Sequence, residues 1–138
     1  MEQDWKDIAR TAARGAATGD MDFGQIVGLL LRSGFDGYLV DFRTGTKTFY
    51  LPDGRSCQVG FETAGPVAEP FQGDLVREAI REAQTKAPGY TYKGFCAKAA
   101  DAGCAGYLVS FPGKRVLYFG RTGETHVEHF PGTAPAAT

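Results

Sequence analysis

One string recurs in this chain at a fixed offset, and that recurrence limits what the chain can fold into more than any other feature. Gly34-x-x-Gly37-Tyr38-Leu39-Val40-x-Phe42 returns as Gly103-x-x-Gly106-Tyr107-Leu108-Val109-x-Phe111, 69 residues later. The match continues without gaps through Tyr50 and Phe119, Gly54 and Gly123, and Ser56 and Thr125. In the other direction, Phe23, Ile26, Val27 and Leu30 stand against Tyr92, Phe95, Cys96 and Ala99. Those positions run i, i+3, i+4, i+7, which puts an apolar stripe on one face of a helix. Asp22 and Thr91, again 69 apart, carry the side-chain oxygen that caps a helix N-terminus. Gly34 and Gly103 suit the left-handed residue that ends one. Caps, stripe and strand agree at one offset, so the chain reads as an internal duplication.

Each copy continues in strands. Tyr38, Val40 and Phe42 alternate with Leu39 and Asp41, and Tyr107, Val109 and Phe111 alternate with Leu108 and Ser110. Thr44-Gly45 and Pro112-Gly113 make the first turns, and Pro52-Asp53-Gly54 and Arg121-Thr122-Gly123 the second. The strands after them run from Lys47 to Leu51 and Lys114 to Phe119, then near Arg55–Phe61 and Glu124–Phe130. A further helix precedes each copy, striped by Trp5, Ile8, Ala9 and Ala12 in one case. In the other the stripe is Leu75, Val76, Ala79, Ile80 and Ala83, with Asp74 expected as the cap.

The expected fold is therefore α+β. A helix–helix–three-stranded-meander unit is duplicated, giving an antiparallel sheet of about six strands with helices packed on one face. At 138 residues it is a single domain. Its pseudo-repeats cover 1–61 and 74–130, a surface crossover loop 62–73, and a flexible Pro/Ala/Thr tail 131–138.

Charge narrows the partners. Fifteen basic and sixteen acidic side chains leave a net −1, with no Lys/Arg cluster, so a nucleic-acid partner is not expected. The longest apolar stretch, around Ile26 to Leu31, is far short of the ~20 residues that span a bilayer, so no membrane insertion is expected. Met1-Glu2-Gln3-Asp4 is acidic and lacks the apolar region of a secretory signal, and the expected location is cytoplasmic. Cys57, Cys96 and Cys104 are odd in number and irregular in spacing, which predicts reduced, buried thiols. No cofactor or metal motif is present. The strand from Lys114 to Phe119 is apolar on both faces, Val116 and Tyr118 opposing Leu117 and Phe119. An antiparallel sheet covered on one side should alternate, so a second copy of the chain is expected over the other face, as a homodimer.

The Gly-Tyr-Leu-Val strand carries a resemblance together with two longer strings. One is Phe49-Tyr50-Leu51-Pro52-Asp53-Gly54. The other is Tyr118-Phe119-Gly120-Arg121-Thr122-Gly123-Glu124-Thr125-His126-Val127-Glu128-His129-Phe130-Pro131. Together they resemble the YbcV-like domain family, over roughly Ala16 to Pro131. That family has no assigned function, and some members carry the label phage envelope protein. The resemblance implies a prokaryotic, phage-related gene and transfers no catalytic residues.

The two copies act as controls for each other. The offset sets Arg55, Cys57, Val59 and Phe61 against Glu124, His126, Glu128 and Phe130. Alternate strand residues share a face, so Glu124, His126 and Glu128 are expected in one row where the other copy is apolar. Three readings fit the row: a charged edge strand in water, a binding patch, or a metal or acid/base site with Glu128 orienting His126. The charged edge is the simplest. Gly120-Arg121-Thr122-Gly123 reads as a turn rather than an anion nest, because no helix follows it. Asp41, Arg43 and Asp53 read as turn residues. The aromatic set Tyr38, Phe42, Phe49, Tyr107, Phe111 and Tyr118 reads as core.

Two functions from different classes follow. One is a noncatalytic interaction module acting as a homodimer with a protein partner. The other is a small-molecule- or metal-binding protein, or a hydrolase-like enzyme, using His126 with Glu124 and Glu128. A pocket beside His126 would favour the second, and an exposed apolar sheet face the first.

Overall fold

In a computed structural model, which describes residues 3–63 and 65–130, each half of the chain builds two helices and then three strands. Helices α1 (Gln3–Thr18) and α2 (Phe23–Arg32) precede β1 (Gly37–Asp41), β2 (Thr46–Tyr50) and β3 (Ser56–Gly60). Helices α3 (Gly73–Thr85) and α4 (Tyr92–Asp101) precede β4 (Cys104–Ser110), β5 (Arg115–Gly120) and β6 (Thr125–His129). The six strands form one antiparallel sheet in the order β3-β2-β1-β4-β5-β6. The two meanders meet at β1 and β4, and Leu39 stands opposite Leu108, its equivalent at the 69-residue offset. Tyr38 pairs with Val109 and Val40 with Tyr107, so the register across the sheet centre is symmetric about that leucine pair.

The helix ends explain why the halves start where they do. The Asp22 carboxylate accepts from Gln25 N at 2.8 Å while Gln25 Oε1 accepts from Asp22 N at 2.9 Å, a reciprocal cap. Thr91 Oγ1 accepts from Gly94 N at 3.0 Å in the other half. Gly34 and Gly103 follow the helices with φ of 88° and 90°, a left-handed turn that costs little without a Cβ. Helix α3 begins earlier than the sequence suggests. Its cap is Gln72, which makes no side-chain capping bond, and Asp74 lies within the first turn, where its charge favours the helix dipole.

The core lies between the helices and one sheet face. Ala9 and Ala12 of α1, Leu30 of α2, Val76 of α3 and Ala99 of α4 are buried over Val40, Phe49, Val109 and Val116. The other face carries a row running from Thr48 through Leu39, Leu108 and Leu117 to Val127, one residue per strand. Among the described residues nothing covers this row fully: Leu108 and Val127 are exposed. The connection over 62–73, expected on the surface, is partly packed. Val67 is buried, Ala68 N donates to Ala100 O and Gln72 N to Ala102 O. The tail expected at 131–138 lies outside the described residues.

Candidate functional site

Strand register decides which side chains share the helix-covered face. Lys47, Val40, Tyr107, Tyr118 and His126 form one row across β2, β1, β4, β5 and β6. Phe49, Tyr38, Val109, Val116 and Glu128 form the next. His126 and Glu128 thus point under the helices, although β6 is an edge strand. His126 Nε2 lies 2.6 Å from Glu128 Oε2, with the two side chains 19% and 29% exposed. The paired imidazole and carboxylate are partly buried. Glu124 does not join them. It precedes β6, is exposed, and its Oε1 accepts from Thr122 Oγ1 at 2.9 Å. Gly120, Arg121, Thr122 and Gly123 form the turn expected of them, Gly123 N donating to Gly120 O. Among the described residues, no three His, Cys, Asp or Glu side chains converge to hold a metal ion.

The rows floor a cavity of about 620 Å³ between sheet and helices. Ala12 and Ala16 of α1, Ile26 of α2, Ile80 of α3 and Phe95 of α4 roof it, and Tyr38, Tyr107, Tyr118 and Glu128 line its base. Its volume falls in the range of sites that enclose a small organic molecule. At the rim Lys86 Nζ donates to Asp22 Oδ2 at 2.9 Å, tying the end of α3 to the start of α2. The Lys86 hydrogen bond and the cap to Gln25 N hold the Asp22 carboxyl below its ordinary pKa.

The least expected group in the cavity wall is Lys47. It is 5% exposed, and its ammonium has no hydrogen bond or ion pair among the described residues. Its ammonium sits 4.2 Å from the centroid of the Tyr92 ring and 5.9 Å from that of Phe61. An aromatic face attracts a cation but does not neutralise it. Burial pushes the Lys47 pKa down to about 8, against a smaller upward pull from Cys96. Cys96 offers no counter-charge at neutral pH, since burial holds its thiol up at about 11. Beside Lys47, Tyr92 and Tyr107 share a hydroxyl–hydroxyl hydrogen bond of 2.7 Å. One phenol donates to the other, and the Cys96 thiol stands beside Tyr92 as a further hydrogen-bonding neighbour. Desolvation raises the pKa of Tyr38, Tyr92, Tyr107 and Tyr118, so the phenols stay neutral donors.

The aromatic set read as core has two functions of place. Phe42 and Phe111 are buried in packing alone, whereas Tyr38, Phe49, Tyr107 and Tyr118 are buried and also line the cavity. Sequence reasoning passes over Lys47 as the start of a strand. A signal for it exists all the same: the 69-residue offset sets it against Val116, a buried apolar residue of the other copy. The three cysteines are free and buried. No helix among the described residues is long and apolar enough to cross a membrane. No protein-family model and no curated protein matches this chain.

Proposed function

We propose that the chain is a small-molecule-binding protein whose ligand occupies the cavity between sheet and helices. One observation carries this: a space of about 620 Å³ is kept open in the core and floored by tyrosines and an unpaired lysine. A domain of this size closes its core to crystal-like density unless something else fills it. The resemblance to the YbcV-like family lends no chemistry to this reading, because that family has none assigned. The His126–Glu128 pair stands at the far strand of the floor, and only its carboxylate lines the cavity. The arrangement supports binding more directly than catalysis.

A neutral, environment-sensitive dye such as Nile red tests the reading. Saturable binding with blue-shifted emission is expected, lost in Ala83→Phe, which fills the cavity from α3, and kept in Leu108→Lys, which alters only the open sheet face. The opposite pattern would place the dye on the exposed face and remove the cavity reading.

A second reading, of a cytoplasmic homodimer, has its own observation. The row Leu39, Leu108, Leu117 and Val127 leaves an apolar strip on the uncovered face. Pairing of two such faces would bury it. The two readings are compatible, since the faces lie on opposite sides of the sheet.

A further inference from the structure

Lys47 is the group in the cavity with an unmet electrostatic need. It is nearly fully buried, its ammonium has no carboxylate partner among the described residues, and the space it faces is large enough for a ligand. A buried charge without a partner is strongly disfavoured, and proteins ordinarily neutralise or pair it. The ionisable groups that interact with it are the Cys96 thiol and, through its ring, Tyr92, both held in their neutral forms by burial.

Resting on the cavity reading above, we infer that Lys47 receives the anionic head of the ligand, a carboxylate or comparable monoanion borne on a flat apolar body. A hydroxyl of the Tyr92–Tyr107 pair supplies a second donor to the same head. A single ammonium matches a single negative charge, so dianionic phosphates are the poorer fit. The body extends along the floor over Tyr107 and Tyr118, whose rings offer stacking surfaces. Glu128 closes the opposite side. It stands four strands from Lys47, roughly 19 Å at about 4.8 Å per strand. The ammonium and carboxylate of one α-amino acid are therefore too close together to engage both residues. The carboxylate disfavours an anion at its own side and so fixes which way round the ligand lies.

Matched probes separate this inference from the reading it rests on. 2-Naphthoate and its neutral isostere 2-naphthamide are titrated into the native protein and into Lys47→Met and Lys47→Gln by calorimetry. The native protein is expected to bind naphthoate at least tenfold tighter than naphthamide. Both variants should lose that preference while still binding naphthamide within about threefold of the native protein. Amide binding as tight as acid binding in the native protein overturns the role of Lys47 and leaves the cavity reading standing. So does an acid preference that survives in Lys47→Met. Absence of binding by either probe to the native protein overturns the cavity reading itself, and the role of Lys47 with it.

Discussion

The Lys47 ammonium lies 4.2 Å from the centroid of the Tyr92 ring, over the start of α4, with no carboxylate among the described residues to answer it. Tyr92 sits 69 residues after Phe23, and Lys47 sits 69 before Val116. Each partner of this contact is thus more polar than the residue 69 positions away from it. Lys47 and Tyr92 both line the cavity.

The empty protein should gain stability when that charge is removed. Lys47→Met keeps the stem volume and replaces a buried unpaired ammonium by a thioether. An increase of about 1–3 kcal/mol at neutral pH is expected. Urea unfolding of the two proteins with equal m-values measures it. A loss of more than about 1 kcal/mol would show that the ammonium is stabilising as it stands.

The same residue sets a pH dependence of definite sign. Its folded-state pKa of about 8 lies below the ordinary 10.5, so between those values the unfolded chain holds a proton that the folded chain has released. Stability from this group therefore rises with pH from about 8 to 10.5, by at most roughly 3 kcal/mol. Cys96, Tyr38, Tyr92 and Tyr107 work the other way above their ordinary pKa values, because burial raises theirs. Those groups are common to both proteins, although Cys96 loses the pull of the ammonium in the variant. The stability advantage of Lys47→Met over the native protein should accordingly shrink between pH 7 and pH 10. An advantage that is constant with pH would mean that Lys47 titrates normally.

Much of this fold is legible in the amino-acid sequence, because local and long-range signals coincide. Asp22 and Thr91 cap, Gly34 and Gly103 turn left-handed, and the strands alternate as their apolar pattern requires. Asp74 misleads because an acidic residue is favoured both as a cap and within the first turn, and only backbone geometry separates the two. The site is half legible. Contrast with Cys57 and Val59 singles out His126 and Glu128, which do pair, but it also recruits Glu124, which the Gly123 turn leaves on Thr122. Lys47 is hidden by its type: a lysine beside a turn is usually solvent-facing, and the helices that cover it are distant in sequence.

The central strand pair should tolerate no side chain at Gly106. A Cβ there would run into the Val40 carbonyl and come within 2.8 Å of Phe119 Cζ. Its equivalent, Gly37, meets the Val109 carbonyl in the same manner. At both positions the nearest obstructing atom is a backbone carbonyl oxygen of the strand opposite, which cannot yield without parting β1 from β4. Gly106→Ala is expected to cost roughly 2–4 kcal/mol by chemical denaturation. A cost under about 1 kcal/mol would mean that the two meanders are less tightly joined than this register requires.

The open sheet face predicts association. Light scattering of the purified native protein at micromolar concentration should give twice the chain mass, and Leu108→Lys with Val127→Lys should give the chain mass itself. The substitutions place charges on already exposed positions, 36% and 38% accessible, so folding should change by less than about 1 kcal/mol. A native protein that runs as a single chain would remove the homodimer reading and leave the cavity reading untouched.

The His126–Glu128 pair gives a test that distinguishes orientation from recognition. Glu128→Gln removes the negative charge and keeps the shape, and a partly buried pair at 2.6 Å should contribute about 1–2 kcal/mol to stability. Its effect on the anionic probe should be small. Across roughly 19 Å of sheet and partly wet cavity, about two Debye lengths at physiological salt, its repulsion on a head at Lys47 is largely screened. Naphthoate affinity is expected to rise less than threefold in Glu128→Gln, against the tenfold or greater loss in Lys47→Met. His126→Gln should behave like Glu128→Gln in stability and leave naphthoate affinity unchanged, because only Glu128 lines the cavity. A tenfold gain in naphthoate affinity on neutralising Glu128 would instead place the anionic head beside β6, and the ligand would lie the other way round.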